Sequence, residues 1–120
     1  MIEEYEKKIN YLYYLNRNLS SSIGSFNTLR GQLAGIVSKL EKENTKLETL
    51  VKNIGSYYTV DGLAIGDKIS DNEDDIDSVI SFINGIISGV DTKVSDIKKQ
   101  IDSNNNSIWS YEKKLKELKG

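Results

Sequence analysis

"SYYTVDGLAIGDKI" (Ser56–Ile69) lies at the middle of a chain of 120 residues. Its glycines, Gly62 and Gly66, and the β-branched pair Thr59-Val60 interrupt a sequence that otherwise reads as helix on both sides. The chain contains no proline, so no fixed φ angle or missing N–H forces a helix to stop elsewhere. Whether this stretch turns therefore decides between one very long helix and a hairpin.

Upstream of it, apolar residues recur at alternating steps of three and four. The line runs Ile2, Tyr5, Ile9, Leu12, Asn16, Leu19, Ile23, Phe26, Arg30, Leu33, Val37, Leu40, Asn44, Leu47, Val51, Ile54, and only Asn16, Arg30 and Asn44 are polar. Downstream a second line runs Ile69, Glu73, Ile76, Ile80, Ile83, Ile87, Val90, Val94, Ile97, Ile101, Asn104, Ile108, Tyr111, Leu115, Leu118. A sustained 3.5-residue period keeps one seam facing one partner along the whole helix. A stripe this narrow cannot bury itself. Joined by a glycine-bearing turn, the two stripes predict an all-α fold, a long antiparallel two-helix hairpin of coiled-coil type. The expected limits are helix over 2–54, turn over 55–62 and helix over 63–118, in one domain spanning 1–120.

Gly55, just past Ile54, suits a left-handed C-terminal cap, and Asp61 suits the cap of the next helix. Ser70-Asp71-Asn72-Glu73 is also a capping-box pattern, but the unbroken phase through Ile65 and Ile69 favours one continuous second helix. A fold at about residue 60 sets residue n level with residue ~120 − n. Asn16 then meets Asn104, "YEKKI" (Tyr5–Ile9) lies beside "YEKKL" (Tyr111–Leu115), Arg30 comes near Asp91, and Lys42, Lys46 and Lys52 fall near the acidic run Asp71–Asp77. The seam pairs within the chain or with a second copy; the pattern is compatible with both.

Composition narrows function. Hydrophobic residues make up 38% and charged residues 28%, with a net charge of −2, a balance unlike that of a nucleic-acid binder working through a basic surface. Histidine and cysteine are absent. That excludes disulfides, Cys/His metal sites and nucleophiles activated by histidine, so neither an enzyme nor a cofactor is expected. "DNEDDID" (Asp71–Asp77) fails as a calcium loop, because Ile76 and Phe82 occupy its glycine and glutamate positions. The start, "MIEEYEKKIN", lacks a basic segment followed by an apolar core, so a Sec-type signal is not expected. "SVISFINGIISGV" (Ser78–Val90) is too short for a membrane span, which needs about 20 apolar residues. The expected location is the cytoplasm, or export by a non-Sec route.

The seam leaves surface features unexplained. Leu15, Leu29, Ile36 and Leu50 form a second apolar line one position before the first stripe, and Val79 and Ile86 widen the second. Extra apolar positions of this kind fit a broader two-helix core, a homodimeric four-helix bundle or a partner surface. Glycine recurs at Gly24, Gly31 and Gly35, and at Gly85 and Gly89. Each interior helix glycine costs up to ~1 kcal/mol against alanine, and small residues let another backbone approach. The candidate partner-binding set is therefore Gly24, Leu29, Gly31, Gly35, Ile36, Gly85, Ile86 and Gly89.

A hairpin of this size with a hydrophobic-x-Gly step at its turn resembles the WXG-type proteins of type VII secretion systems. It is most similar to the small helical proteins encoded with LXG toxins in Gram-positive bacteria. Val60-Asp61-Gly62 stands where Trp-x-Gly would stand, with Leu63, Ala64 and Ile69 in the family's helical phase. Valine replaces the tryptophan. The family's export signal, an aromatic residue four before an acidic one near the C-terminus, has no counterpart, since Tyr111 is followed at that spacing by Leu115. The resemblance implies a binding protein that packs against the long helical N-terminal domain of an LXG-type toxin, with or without a second small helical protein, and helps target it to type VII secretion. A self-associating structural coiled coil, and a phage or regulatory helical protein, are the other readings.

Overall fold

The computed structural model describes the backbone of residues 1–57 and 61–120, and the side-chain surroundings of all residues outside 54–66. The chain is a helical hairpin of two long helices, α1 (Ile2–Tyr57) and α2 (Asp61–Lys119), with no strand among the described residues. Glu3 and Glu4 lie in the first turn of α1, and Lys116 and Lys119 in the last turn of α2. Each pair complements the charge of its helix end.

The helices reach further into the middle than expected. α1 continues past Ile54 to Tyr57 and α2 begins at Asp61 rather than Leu63. Gly55 is thus inside α1 and not its C-terminal cap. A heptad stripe marks what is buried, not where hydrogen bonding ends, and one interior glycine is too small a penalty to stop a helix of this length. Ser70–Glu73 is interior to α2, as the preserved phase requires. Val60 of the turn motif lies outside the described residues, and so do the side chains of Asp61 and Gly62. Elsewhere Thr28, Thr45, Thr49 and Ser78 donate their hydroxyls to carbonyls one turn back, at 3.0, 3.1, 3.1 and 3.0 Å. This internal bonding lets hydroxylated residues sit within helices.

The chain packs as two units, Met1–Leu29 with Val90–Gly120, and Arg30–Gly89. In the first, the expected antiparallel level holds. Asn104 donates its Nδ2 to Asn16 Oδ1 at 2.9 Å, and the rings of Tyr5 and Tyr111 lie 5.7 Å apart with the Lys8 ammonium over both. Ile9, Val90, Val94, Ile97 and Ile108 are buried along the seam of this unit. In the second unit, the stripe residues Leu33, Leu40, Leu47, Val51, Ile69, Ile76, Ile80, Ile83 and Ile87 are only half-buried. Among its described apolar side chains, Val37 alone is buried.

Candidate helix-docking flank

With the repeat lettered so that Asn16 and Asn44 occupy a and Asn104 occupies d, antiparallel helices bring e beside e and g beside g, on opposite flanks of the seam. The polar bridges obey this. In the first unit, Tyr13 donates to Glu112 Oε1 at 3.0 Å and Lys119 pairs with Glu6 at 3.2 Å, all four being e residues. Asn16 Nδ2 reaches the e residue Asn105 at 2.9 Å. In the second unit, Asn44 Nδ2 reaches the e residue Asp77 at 2.7 Å and the Glu73 carbonyl at 3.3 Å. The e flank of each unit is laced by polar side chains.

The g flank of the Arg30–Gly89 unit is different. Ile36 and Leu50 on α1 and Val79 and Ile86 on α2 occupy g, and Phe82 stands beside them at c. Their exposure runs from 39% (Ile86) to 69% (Phe82). They are all five of that unit's exposed large hydrophobic residues among those described, and none lies on the e flank, which carries Ala34, Glu41, Glu48, Asp77 and Asn84. An apolar strip confined to one side of a thinly buried unit has the physical character that docking surfaces share. The next position outward, c, carries Gln32, Lys39, Lys46 and Asn53 on α1 and Lys68, Asp75 and Gly89 on α2 besides Phe82. Lys46 pairs with Glu43 on its own helix at 3.2 Å, not with the acidic run of α2 as its level had suggested.

The sequence-derived residues divide accordingly. Ile36, Ile86 and Gly89 fall on the apolar flank. Gly35 and Gly85, at f, point away from the seam, and Gly31, at b, stands nearer the polar flank. A Cβ added at Gly31, Gly35, Gly85 or Gly89 would meet nothing within 4 Å, so no contact inside the chain requires a glycine there. Gly24 and Leu29 belong to the other unit, where Leu29 edges a shallow hollow lined by Ser21, Ser22, Ser25 and Phe26. Sequence reasoning passed over Phe82. The signal was its spacing with Val79 and Ile86, which puts all three on one strip of α2. It also passed over Trp109, exposed in the first unit with the Lys113 ammonium 5.4 Å from its ring.

Two groups have shifted acidities. Burial first, and then the charges of Glu48, Asp74 and Asp77, raise the carboxyl of Glu73, a seam residue. The hydrogen bond to Glu112, and then that carboxylate's charge, raise the Tyr13 phenol. Among the described residues no group of three or more carboxylates is placed to hold a metal ion, and no helix is long and apolar enough to cross a membrane. Comparison with known proteins finds no match among family models, curated proteins or solved structures.

Proposed function

We propose that this chain is a non-enzymatic helix-binding protein whose Arg30–Gly89 unit completes its core against helices of another polypeptide. One observation carries the reading: the exposed strip Ile36, Leu50, Val79, Phe82, Ile86 on a unit that buries little of its own seam. Helices laid along such a strip would bury apolar area at roughly 25 cal/mol per Å², and aromatic and aliphatic anchors on a rigid helix are what a helix-in-groove interface uses. The client class follows from the turn motif and the hairpin's likeness to partners of LXG toxins. It is the long helical N-terminal domain of such a toxin, bound for targeting to type VII secretion.

The test is co-expression with the helical N-terminal domain of an LXG-type toxin, followed by size-exclusion chromatography. Wild type should co-elute. Phe82→Asp and Ile86→Asp should not, while Glu41→Lys on the polar flank should. Co-elution that survives both flank substitutions would remove this surface from the reading.

A further inference from the structure

We propose that the apolar flank of the Arg30–Gly89 unit pairs with the same flank of a second copy of this chain, forming a four-helix bundle in which α1 of each copy lies over α2 of the other. The argument starts from level. A twofold axis parallel to the helices keeps every residue at its own height while exchanging the two sides of the hairpin. The residues that then face each other are those already level within one hairpin. At the g positions Ile36 meets Ile86 of the second copy. At the c positions Lys39 meets Phe82, Lys46 meets Asp75 and Gln32 meets Gly89, each between copies and each occurring twice.

These meetings are chemically matched. Ile36 on Ile86 buries two side chains that the single chain exposes. An ammonium over the edge of a phenylalanine is a favourable cation–π contact, and Lys46 with Asp75 is an ion pair at the rim. Gly89 leaves space, with nothing within 4 Å of an added Cβ, where the longer Gln32 side chain arrives. At the remaining g positions Glu43 comes opposite Val79 and Leu50 opposite Asn72, and the Lys46 ammonium is then shared between Glu43 of its own helix and Asp75 of the second copy. A twofold axis perpendicular to the helices would instead set α1 on α1, bringing Lys39 and Lys46 of the two copies together, and α2 on α2, whose edge carries one lysine, Lys68, and one aspartate, Asp75. Like charges would then oppose one another along the α1 edge, so charge favours the first orientation.

Size sets the strength. The described seam of this unit is about 32 Å long, at 1.5 Å per residue. Two helices side by side are about 20 Å wide. The interface is therefore of order 1,300 Å² in total, at the low end for stable complexes. The pairing is concentration-dependent, and it uses the flank that the helix-binding reading assigns to a client, so client and second copy compete.

The experiment is sedimentation velocity from about 1 to about 500 µM, a range that brackets a weak dimer. Wild type should pass from monomer to dimer within it. Phe82→Lys, which sets an ammonium against Lys39 of the second copy at an exposed position, should stay monomeric with unchanged circular dichroism. Lys46→Asp and Asp75→Lys should each weaken self-association about tenfold, since two rim pairs per dimer are replaced by repulsion. Mixed in equal amounts, the two variants should recover dimer, because every 46–75 contact between unlike copies is again a pair of opposite charges. A chain monomeric at every concentration, a Phe82→Lys dimer, or a mixture no tighter than its parts would overturn the proposal. If the monomeric wild type still captures the LXG-type domain through this flank, the helix-binding reading stands without the self-pairing. If the dimer forms and no client is captured, the reverse holds.

Discussion

The Asn16–Asn104 layer supports a quantitative test. Asn104 is 5% exposed. Its Nδ2 donates to Asn16, and its Oδ1 accepts from Gln100 Nε2 at 2.9 Å. Asn104→Ala removes two hydrogen bonds at about 1 kcal/mol each, and leaves Asn16 Oδ1 half-buried without its donor. Some of that loss is recovered by water, since Asn16 is not fully enclosed. The expected destabilisation is about 2–3 kcal/mol, or ~8–12 °C in melting temperature for a chain of this size. Replacing both residues, Asn16→Leu with Asn104→Leu, removes donor and acceptor together and extends the apolar seam. That variant should melt at or above the wild-type temperature while losing the device that fixes register. Circular dichroism at 222 nm during heating and in urea measures both. A loss below about 0.5 kcal/mol for Asn104→Ala would refute the assignment of this layer as a satisfied buried pair. So would a double variant as unstable as the single one.

Other outcomes follow from the same geometry. Glu73 holds its proton more tightly folded than unfolded, so its contribution is full below the ordinary value of 4.5 and is lost as pH rises through the raised folded value. Wild-type stability should therefore fall across that window. Glu73→Gln should flatten the fall and stabilise the protein at pH 7, as urea titrations at several pH values would reveal. Tyr13→Phe should leave the melting temperature almost unchanged, since the bond is exposed. Glu112→Gln should lower the Tyr13 phenol toward 10.0 in an NMR titration. Gly31→Ala and Gly85→Ala meet open space and should each raise stability by up to ~1 kcal/mol, measured by thermal melting; a loss at either would mean the glycine is required within the hairpin.

The seam was legible because burial in a two-helix hairpin has a single period. Apart from the exposed Ile2, Arg30 and Leu118, the described stripe positions are buried or half-buried, so Ile9, Val37, Val94 and Ile108 could be named from the sequence. The level of Asn16 with Asn104 followed from the position of the turn. The helix ends were less legible, because heptad phase runs on regardless of where hydrogen bonding stops, and Gly55 carries no unambiguous stop. Lys46 was misplaced because level alone does not say which flank a long side chain occupies, and Glu43 is one turn away on the same helix. The apolar flank was seen in part, through Ile36 and Ile86. Phe82 escaped because it sits two positions past the stripe, where a residue counts as surface unless its neighbours on the same strip are considered with it.

The buried Asn44 has a kinetic consequence. Its Nδ2 is bonded, but its Oδ1 is enclosed without a partner, in a unit where Val37 is the one described apolar side chain that is buried. An enclosed acceptor lacking a donor costs about 1–3 kcal/mol, a penalty relieved as soon as water enters. Splaying the helices at this level therefore removes a penalty as well as contacts, and opening there needs less free energy than opening at the satisfied Asn104. Backbone amides around Asn44 should exchange with solvent ahead of those around Asn104. The helices thus part most readily in the unit that carries the exposed flank, and a third helix arriving there would meet a seam already prone to admit it.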